Sequence, residues 1–313
     1  MEYRELGKTG LRVSRIAFGT IPFKIRDTSA EDGADLLVFA REQGINFFDL
    51  AEIYGTHPHM RAALPRMKQP VIIASKSNVK TADAMDASIR RALDEIGIER
   101  IDIFKMHGVD TLDDLRERRP AWDVLLAAKS AGLVRAIGFS THSCPVMREI
   151  IGWSDVEVIL AGLNREGVGI LDGTMDEMRG LIALAAEKGK GVYGMKLFAG
   201  GMLYAEAREA LDFGLTMPGV DCIAVGMQNR EEIIFNSAVA GGLPVPDEVL
   251  AALDTRKREL HIRPFCKACG VCVENCRYGA LVMGEKMPIV DEEKCILCGY
   301  CGFACPSMAI KII

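Results

Sequence analysis

The chain has 313 residues, 49% hydrophobic and 26% charged, which is enough for a large core with a small appended module and too apolar for intrinsic disorder. Its 38 Lys and Arg against 43 Asp and Glu give a formal charge of −5, and no basic block of nucleic-acid-binding size occurs, so no nucleic-acid partner is expected. The opening Met1-Glu2-Tyr3-Arg4-Glu5 has no apolar leader core and no later stretch approaches the ~18 apolar residues of a membrane span; a soluble, cytoplasmic protein with no membrane partner is expected.

Up to about residue 240, short apolar runs alternate with amphipathic ones. The predicted strands are Arg15–Gly19, Ile45–Asp49, Val71–Lys76, Ile101–His107, Val134–Ser140, Val156–Leu163, Gly191–Leu197 and Cys222–Gly226. Between them lie helical segments such as Thr81–Ile96, with Met85, Ile89, Leu93 and Ile96 on one face, and Met175–Lys188, with Met178, Leu181, Ile182 and Leu184. The helix after Tyr54 carries the weakest signal. Eight strands, each followed by a helix, predict an α/β fold of the (β/α)8 TIM-barrel type over residues 1–243. Gly241-Gly242-Leu243-Pro244-Val245-Pro246 marks a boundary, residues 244–260 read as a linker helix, and 261–313 as a separate small module. In that module helical periodicity disappears, and Tyr278–Val290 reads as a turn-rich loop between two similar halves.

Eight of the ten cysteines fall between Cys266 and Cys305. Cys266, Cys269, Cys272 and Cys276 form one Cys-x2-Cys-x2-Cys-x3-Cys run, and Cys295, Cys298, Cys301 and Cys305 form another. The tight loops let successive thiolates reach different irons of one cubane, with Gly270 and Gly299 allowing close backbone approach. The tail resembles the bacterial two-cluster ferredoxins. That resemblance implies two [4Fe-4S] clusters with crossed fourth ligands: Cys266, Cys269, Cys272 and Cys305 for one, and Cys295, Cys298, Cys301 and Cys276 for the other. Arg277 stands where the proline after the fourth cysteine is usual; Pro306 keeps it in the second run. A pair of structural zinc sites is the alternative reading of the same thiolates, and clusters with a purely structural role are another. Cys144 and Cys222 read as packing thiols.

In a (β/α)8 barrel, chemistry sits where strands end. Asp49 closes the second strand with Tyr54 just after it, Lys76 closes the third, and His107 the fourth. Together they suggest a proton-transfer device: Tyr54 as acid, the Lys76 ammonium lowering its pKa, Asp49 anchoring the lysine, and His107 orienting a substrate oxygen. Tyr3-Arg4-Glu5-Leu6-Gly7-Lys8-Thr9-Gly10-Leu11, Gly19-Thr20, Asp49 through Tyr54-Gly55, Lys76, His107 and Gly138-Phe139-Ser140 resemble the aldo-keto reductase family over residues 1–240. The resemblance implies that Asp49, Tyr54, Lys76 and His107 are a catalytic tetrad. In such a tetrad the tyrosine protonates a carbonyl oxygen as a nicotinamide delivers hydride.

The same resemblance implies a nicotinamide site at Gly19, Thr20, Ile21 and Asp49. Ser140 and Asn164 match the carboxamide positions, and Met195 and Lys196 stand where a stacking tyrosine is usual. Gly200 and Gly201 lie in a small-residue turn suited to a pyrophosphate, followed by Gly226, Arg230 and an adenine-binding Asn236. Glu232 stands where an arginine often binds the 2′-phosphate, with Arg230 near enough in sequence to replace it, so the choice between NADP and NAD stays open. His57, His59 and His142 read as ordinary loop residues.

The leading expectation is an iron-sulfur oxidoreductase that interconverts a carbonyl and an alcohol with NAD(P)(H). Its clusters relay electrons to a ferredoxin or another electron-transfer protein, and its substrate is a small carbonyl or alcohol. A hydride carries two electrons and a cluster accepts one, a mismatch that a flavin would solve, but no flavin-binding signature occurs. The alternatives are a ferredoxin-driven one-electron reductase without nicotinamide, and a non-catalytic redox sensor.

Overall fold

The computed structural model describes residues 1–313. An antiparallel hairpin, β1 (Tyr3–Glu5) and β2 (Arg12–Ser14), precedes eight parallel strands: β3 (Ile16–Gly19), β4 (Phe47–Asp49), β5 (Ile72–Ser77), β6 (Ile101–Met106), β7 (Val134–Thr141), β8 (Val158–Gly162), β9 (Gly191–Met195) and β10 (Cys222–Gly226). They follow one another round a closed barrel, with β10 pairing back to β3. All eight predicted strands are present.

Helices cover the outside: α1 (Ile21–Arg26), α2 (Ala30–Glu42), α3 (His57–Ala63), α4 (Ala82–Ile96), α5 (Leu112–Glu117), α6 (Arg119–Ser130), α7 (Cys144–Ile151), α8 (Met175–Glu187), α9 (Ala207–Thr216), α10 (Arg230–Ala240) and α11 (Asp247–Asp254). Several start where a hydroxyl or amide oxygen accepts the N–H three residues on, as Ser29, Thr81, Thr174 and Asn229 do. The weak helical signal after Tyr54 corresponds to the seven-residue α3, which begins at His57-Pro58.

Alternation along the strands sorts the apolar residues into two cores. Phe18, Phe48, Ile73 and Phe104 face the helices. Ala17, Phe47, Ile72, Ala74, Ile103 and Tyr193 fill the lumen, joined by Leu6, Leu11 and Val13 from the N-terminal hairpin region. The same parity carries Asp49, Lys76 and Lys105 into the uppermost lumen layer, where aliphatic packing gives way to charge. This is the step by which the fold positions the site.

Beyond α11 the chain forms β11 (Leu260–Ile262), α12 (Val271–Glu274), β12 (Leu281–Met283), β13 (Pro288–Val290), α13 (Tyr300–Phe303) and β14 (Ile310–Ile312). The expected loop at Tyr278–Val290 is a β-hairpin, with Leu281 opposite Val290 and Met283 opposite Pro288. Three-residue strands are too short to display a period, which is why the sequence read as loop. The internal repeat is structural. Ala268 and Gly270 adopt left-handed backbone at φ 50° and 80°, as do Leu297 and Gly299 at 55° and 81°. The amides of Ala280 and Ala309 donate to Cys276 Sγ (3.2 Å) and Cys305 Sγ (3.3 Å).

The tail is seated on the barrel. β11 pairs with β14, and β14 lies against the turn after β9. A Cβ added at Gly201 (φ +97°) would lie 1.9 Å from the Ile312 carbonyl oxygen. Likewise Gly169 has no room for a Cβ beneath Met308, nor Gly302 beneath Met202. The turn at Gly200-Gly201 is therefore covered by the last strand of the chain.

Gly201→Ala combines that overlap with a strained backbone, and should weaken seating of the tail by about 2–3 kcal/mol. Limited trypsin digestion should then cut between α11 and β11 faster than in wild type, with the barrel's own thermal transition unchanged.

Candidate functional site

Asp49 is the hub of the top layer. Its carboxylate, only 5% exposed, accepts from Lys76 Nζ, from Lys105 Nζ (3.1 Å) and from Tyr193 Oη (2.7 Å). Burial opposes its charge, but the two ammonium groups and the hydrogen bonds outweigh burial and hold the carboxyl well below the usual range. Lys76 also donates to the Leu50 carbonyl (2.7 Å). Burial depresses the ammonium of Lys76, and brings that of Lys105 down to about 8. Lys105 and Tyr193 were missed in the sequence, although strand parity places Lys105 two residues from His107 on the same face.

Tyr54 follows β4 in a short 3-10 turn. The Lys76 ammonium stands 5.0 Å from the centre of its ring, and the His107 ring meets it edge-on at 5.7 Å. The expected depression of the Tyr54 pKa does not occur. Burial raises it well above the ordinary phenol value and the Asp49 charge adds to this, because Lys76 lies over the ring face and its charge is committed to Asp49. His107 is held far below its usual value by burial and by the surrounding lysines, so its imidazole is neutral; its Nδ1 is buried without a partner.

Asp49, Tyr54 and Lys76 open onto a cavity of about 720 Å³. Gly19, Ile21, Met195, Lys196, Gly200, Gly201, Gly226 and Asn236, all expected at a dinucleotide, line it. At the far end Asn236 donates to the Glu232 carbonyl of its own helix, while its buried Oδ1 has no partner. That acceptor fits the amino group of an adenine.

Four expected cofactor contacts are not on the cavity wall. Thr20 is fully buried against Thr56 Oγ1 (2.8 Å). Ser140 Oγ accepts from the Gly108 amide (2.8 Å), and Asn164 closes its own loop through both atoms of its amide on Val168 (2.9 Å each). Arg230 packs over the Phe39 ring, 4.7 Å from its centre. Arginines from the segment after α11 line the cavity instead. Arg256 pairs with Glu232, so the carboxylate expected to repel a 2′-phosphate is neutralised, and Arg258 stacks 4.6 Å from the centre of Tyr204.

His57 and His59 are buried, His57 between Glu95 (2.8 Å) and Ser75 (2.8 Å) and His59 on the Thr28 carbonyl (2.9 Å). His142 faces Asp110 at 3.3 Å. None of the three lines the cavity. Cys144 and Cys222 are fully buried.

In the tail, a second hollow is walled by Cys276, Cys295, Cys298 and Cys301, one cysteine from the first run and three from the second. Cys272 lies within the electrostatic reach of Cys266 and Cys305. No three of the chain's Cys, His, Asp or Glu side chains converge as ligands of a single ion do. No helix is long and apolar enough to cross a membrane.

The model of the aldo/keto reductase family matches residues 15–222, and that of the 4Fe-4S binding domain matches residues 288–311. The uncharacterised oxidoreductase YrpG of Bacillus subtilis is 28% identical over 66% of this chain and 69% of its own length. An uncharacterised ferredoxin of Methanocaldococcus jannaschii is 46% identical over 50 residues, 15% of this chain and 33% of that protein. Among solved structures, a putative aldo-keto reductase from Pseudomonas aeruginosa superposes with a TM-score of 0.67 at 26% identity, covering 77% of this chain and 94% of that one. Matches span between 52 and 69% of the length of the first curated barrel relatives.

The depressed pKa of Lys105 has a definite sign. Between about pH 8 and its unfolded value near 10.5 the unfolded chain holds a proton that the folded chain has lost, so this group's contribution makes stability rise with pH across that window. Urea unfolding at pH 7 and pH 10 should show that rise in wild type relative to Lys105→Met. Parallel behaviour of the two proteins would refute the assignment.

Proposed function

The chain belongs to the aldo/keto reductase family, and on that premise we propose that it is an oxidoreductase interconverting a carbonyl and an alcohol at the Tyr54 end of the cavity. The observation that carries this reading is the convergence of Tyr54 and the Asp49–Lys76 pair at one cavity, with the His107 ring edge-on to Tyr54. A nicotinamide dinucleotide along the wall from Ile21 to Asn236 would supply hydride to the carbonyl carbon. Tyr54 then gives its hydroxyl proton to the carbonyl oxygen, and the phenolate is reprotonated from solvent. The raised pKa keeps Tyr54 in its acid form throughout the working pH range, and an alkoxide is basic enough to take the proton from a weak acid. Neutral His107 donates a hydrogen bond to the same oxygen as negative charge develops there. Asp49 holds Lys76 against the tyrosine ring and limits its rotation.

The tail is proposed to hold two [4Fe-4S] clusters. The hollow walled by Cys276, Cys295, Cys298 and Cys301 supports the crossed ligand set Cys295, Cys298, Cys301 and Cys276, with Cys266, Cys269, Cys272 and Cys305 for the other cluster. Thiols spread round a hollow suit a cluster better than a single zinc ion, whose four ligands converge on a point. The amides donating to Cys276 and Cys305 would tune the two potentials alike. Clusters held there would supply one-electron transfer with a ferredoxin-like partner, as a function separate from the two-electron hydride step.

The commitment of Ser140 and Asn164 to internal hydrogen bonds favours a second reading. In it the clusters held by the tail would supply one-electron steps from a reduced ferredoxin, two for each carbonyl, and Tyr54 and His107 would supply the protons, without nicotinamide.

Tyr54→Phe should lower kcat by at least about a hundredfold while leaving nicotinamide affinity unchanged; retained turnover would remove the acid–base reading. Anaerobic titration of cluster-loaded protein with NADH and NADPH, following the visible absorbance of the clusters, separates the two electron sources. Bleaching or binding supports the nicotinamide reading, and no binding of either transfers support to the ferredoxin-driven one.

A further inference from the structure

Two lysine side chains on the wall of the large cavity have no carboxylate paired with them. Lys311 projects from β14, is 8% exposed, and makes no hydrogen bond or ion pair. Its Nζ sits over the turn after β9, so that a Cβ at Gly200 would lie 2.8 Å from it. Lys196, the residue after β9, is likewise without an acidic partner and is held in left-handed backbone at φ +67°. That conformation is uncommon and costly for a lysine.

The charges facing the pair do not neutralise it. Lys311 faces Lys196, Arg263 and the Cys305 thiol, and Lys196 faces Lys76, Asp110 and Arg263. Asp110 is taken by the His142 amide (2.7 Å), and Asp49 by Lys76 and Lys105. Burial depresses both amines, that of Lys311 far below its usual value, and an anion entering with a ligand would restore the favour of the charged forms. Lys196 lies within electrostatic reach of Lys76 and His107, and Lys311 within reach of Lys196, so the two follow one another along the wall from the reacting groups.

We propose that Lys196 and Lys311 bind an oxyanion of the substrate, and that the substrates are carbonyl compounds, or the corresponding alcohols, bearing a carboxylate or phosphate. This rests on the proposed carbonyl chemistry at Tyr54. It also gives the tail a direct part in recognition, because Lys311 belongs to the module that carries the cysteines. The pyrophosphate of a dinucleotide has the same chemistry, and the experiment separates the two sources.

Calorimetry on the cluster-loaded protein would compare 4-oxopentanoate, its neutral methyl ester, succinate, inorganic phosphate and NADPH in wild type, Lys311→Met, Lys196→Met and Lys311→Arg. In wild type an oxyanion should bind at least about tenfold more tightly than the ester. Lys311→Met and Lys196→Met should each remove about that factor for the anions and leave the ester unchanged, while Lys311→Arg retains it. An unaltered cluster spectrum and thermal transition would show that the variants are folded. Failure of wild type to bind any of the anions at millimolar concentration would overturn the proposal. So would equal affinity in wild type and both methionine variants, as expected if the lysines only offset cluster charge, and so would a loss confined to NADPH. Because these are binding measurements, normal turnover by Tyr54→Phe would sink the acid–base reading and leave the anion site standing.

Discussion

The carboxylate of Asp49, buried at the top of the barrel lumen, is what the upper half of the molecule is arranged around. Two lysines and a tyrosine from β5, β6 and β9 converge on it. None of these groups is tolerable there alone. An unpaired ammonium or carboxylate so deep would shed its charge or open the barrel, whereas the set satisfies most of its own valences. The arrangement is also asymmetric, with two cations for one anion. Burial chiefly, with the excess charge added to it, keeps His107 neutral.

That excess of basic groups is continued, and not closed, by the tail. β14 brings one more lysine against the turn after β9, and the segment following α11 brings Arg256 and Arg258 to the opposite end of the cavity. The two units are therefore not beads on a string. The barrel supplies Asp49, Tyr54 and Lys76 to the cavity, and the tail supplies part of its wall. Whatever electrons the cysteine module handles, its polypeptide already shapes what enters the barrel.

Much of this was legible in the sequence. The eight strands follow from apolar runs at regular spacing, and Asp49, Tyr54, Lys76 and His107 follow from their place at strand ends. Lys105 is less legible because it stands two positions before the end of its run, although parity gives it the same face as His107. Tyr193 is hidden for a different reason: a tyrosine in a strand reads as packing until a carboxylate 144 positions away meets its hydroxyl. The direction of the Tyr54 shift was misread because adjacency of a lysine says nothing about which atoms face each other. Arg230 failed through the same limit, since nearness in sequence to Glu232 did not bring it to the cavity, while Arg256 arrived from 24 residues on. The turn at Gly200-Gly201 looked like an anion cradle. Its glycines line the cavity and also let a distant strand lie against the backbone, a second use that the sequence does not display.

The joint between the two units has the character of a ball seated in a socket. Met202 of the barrel occupies the notch left by Gly302, and Met308 of the tail occupies that left by Gly169. A thioether fills such notches without demanding a single geometry, so the tail can change shape slightly and remain seated. The same choice makes the joint chemically vulnerable. Oxidation to the sulfoxide adds an oxygen and a dipole to the side chain, and so puts a polar group where the two halves meet through thioether packing. Independently of any iron, the packing between the halves ties this protein's integrity to surroundings that keep methionine reduced.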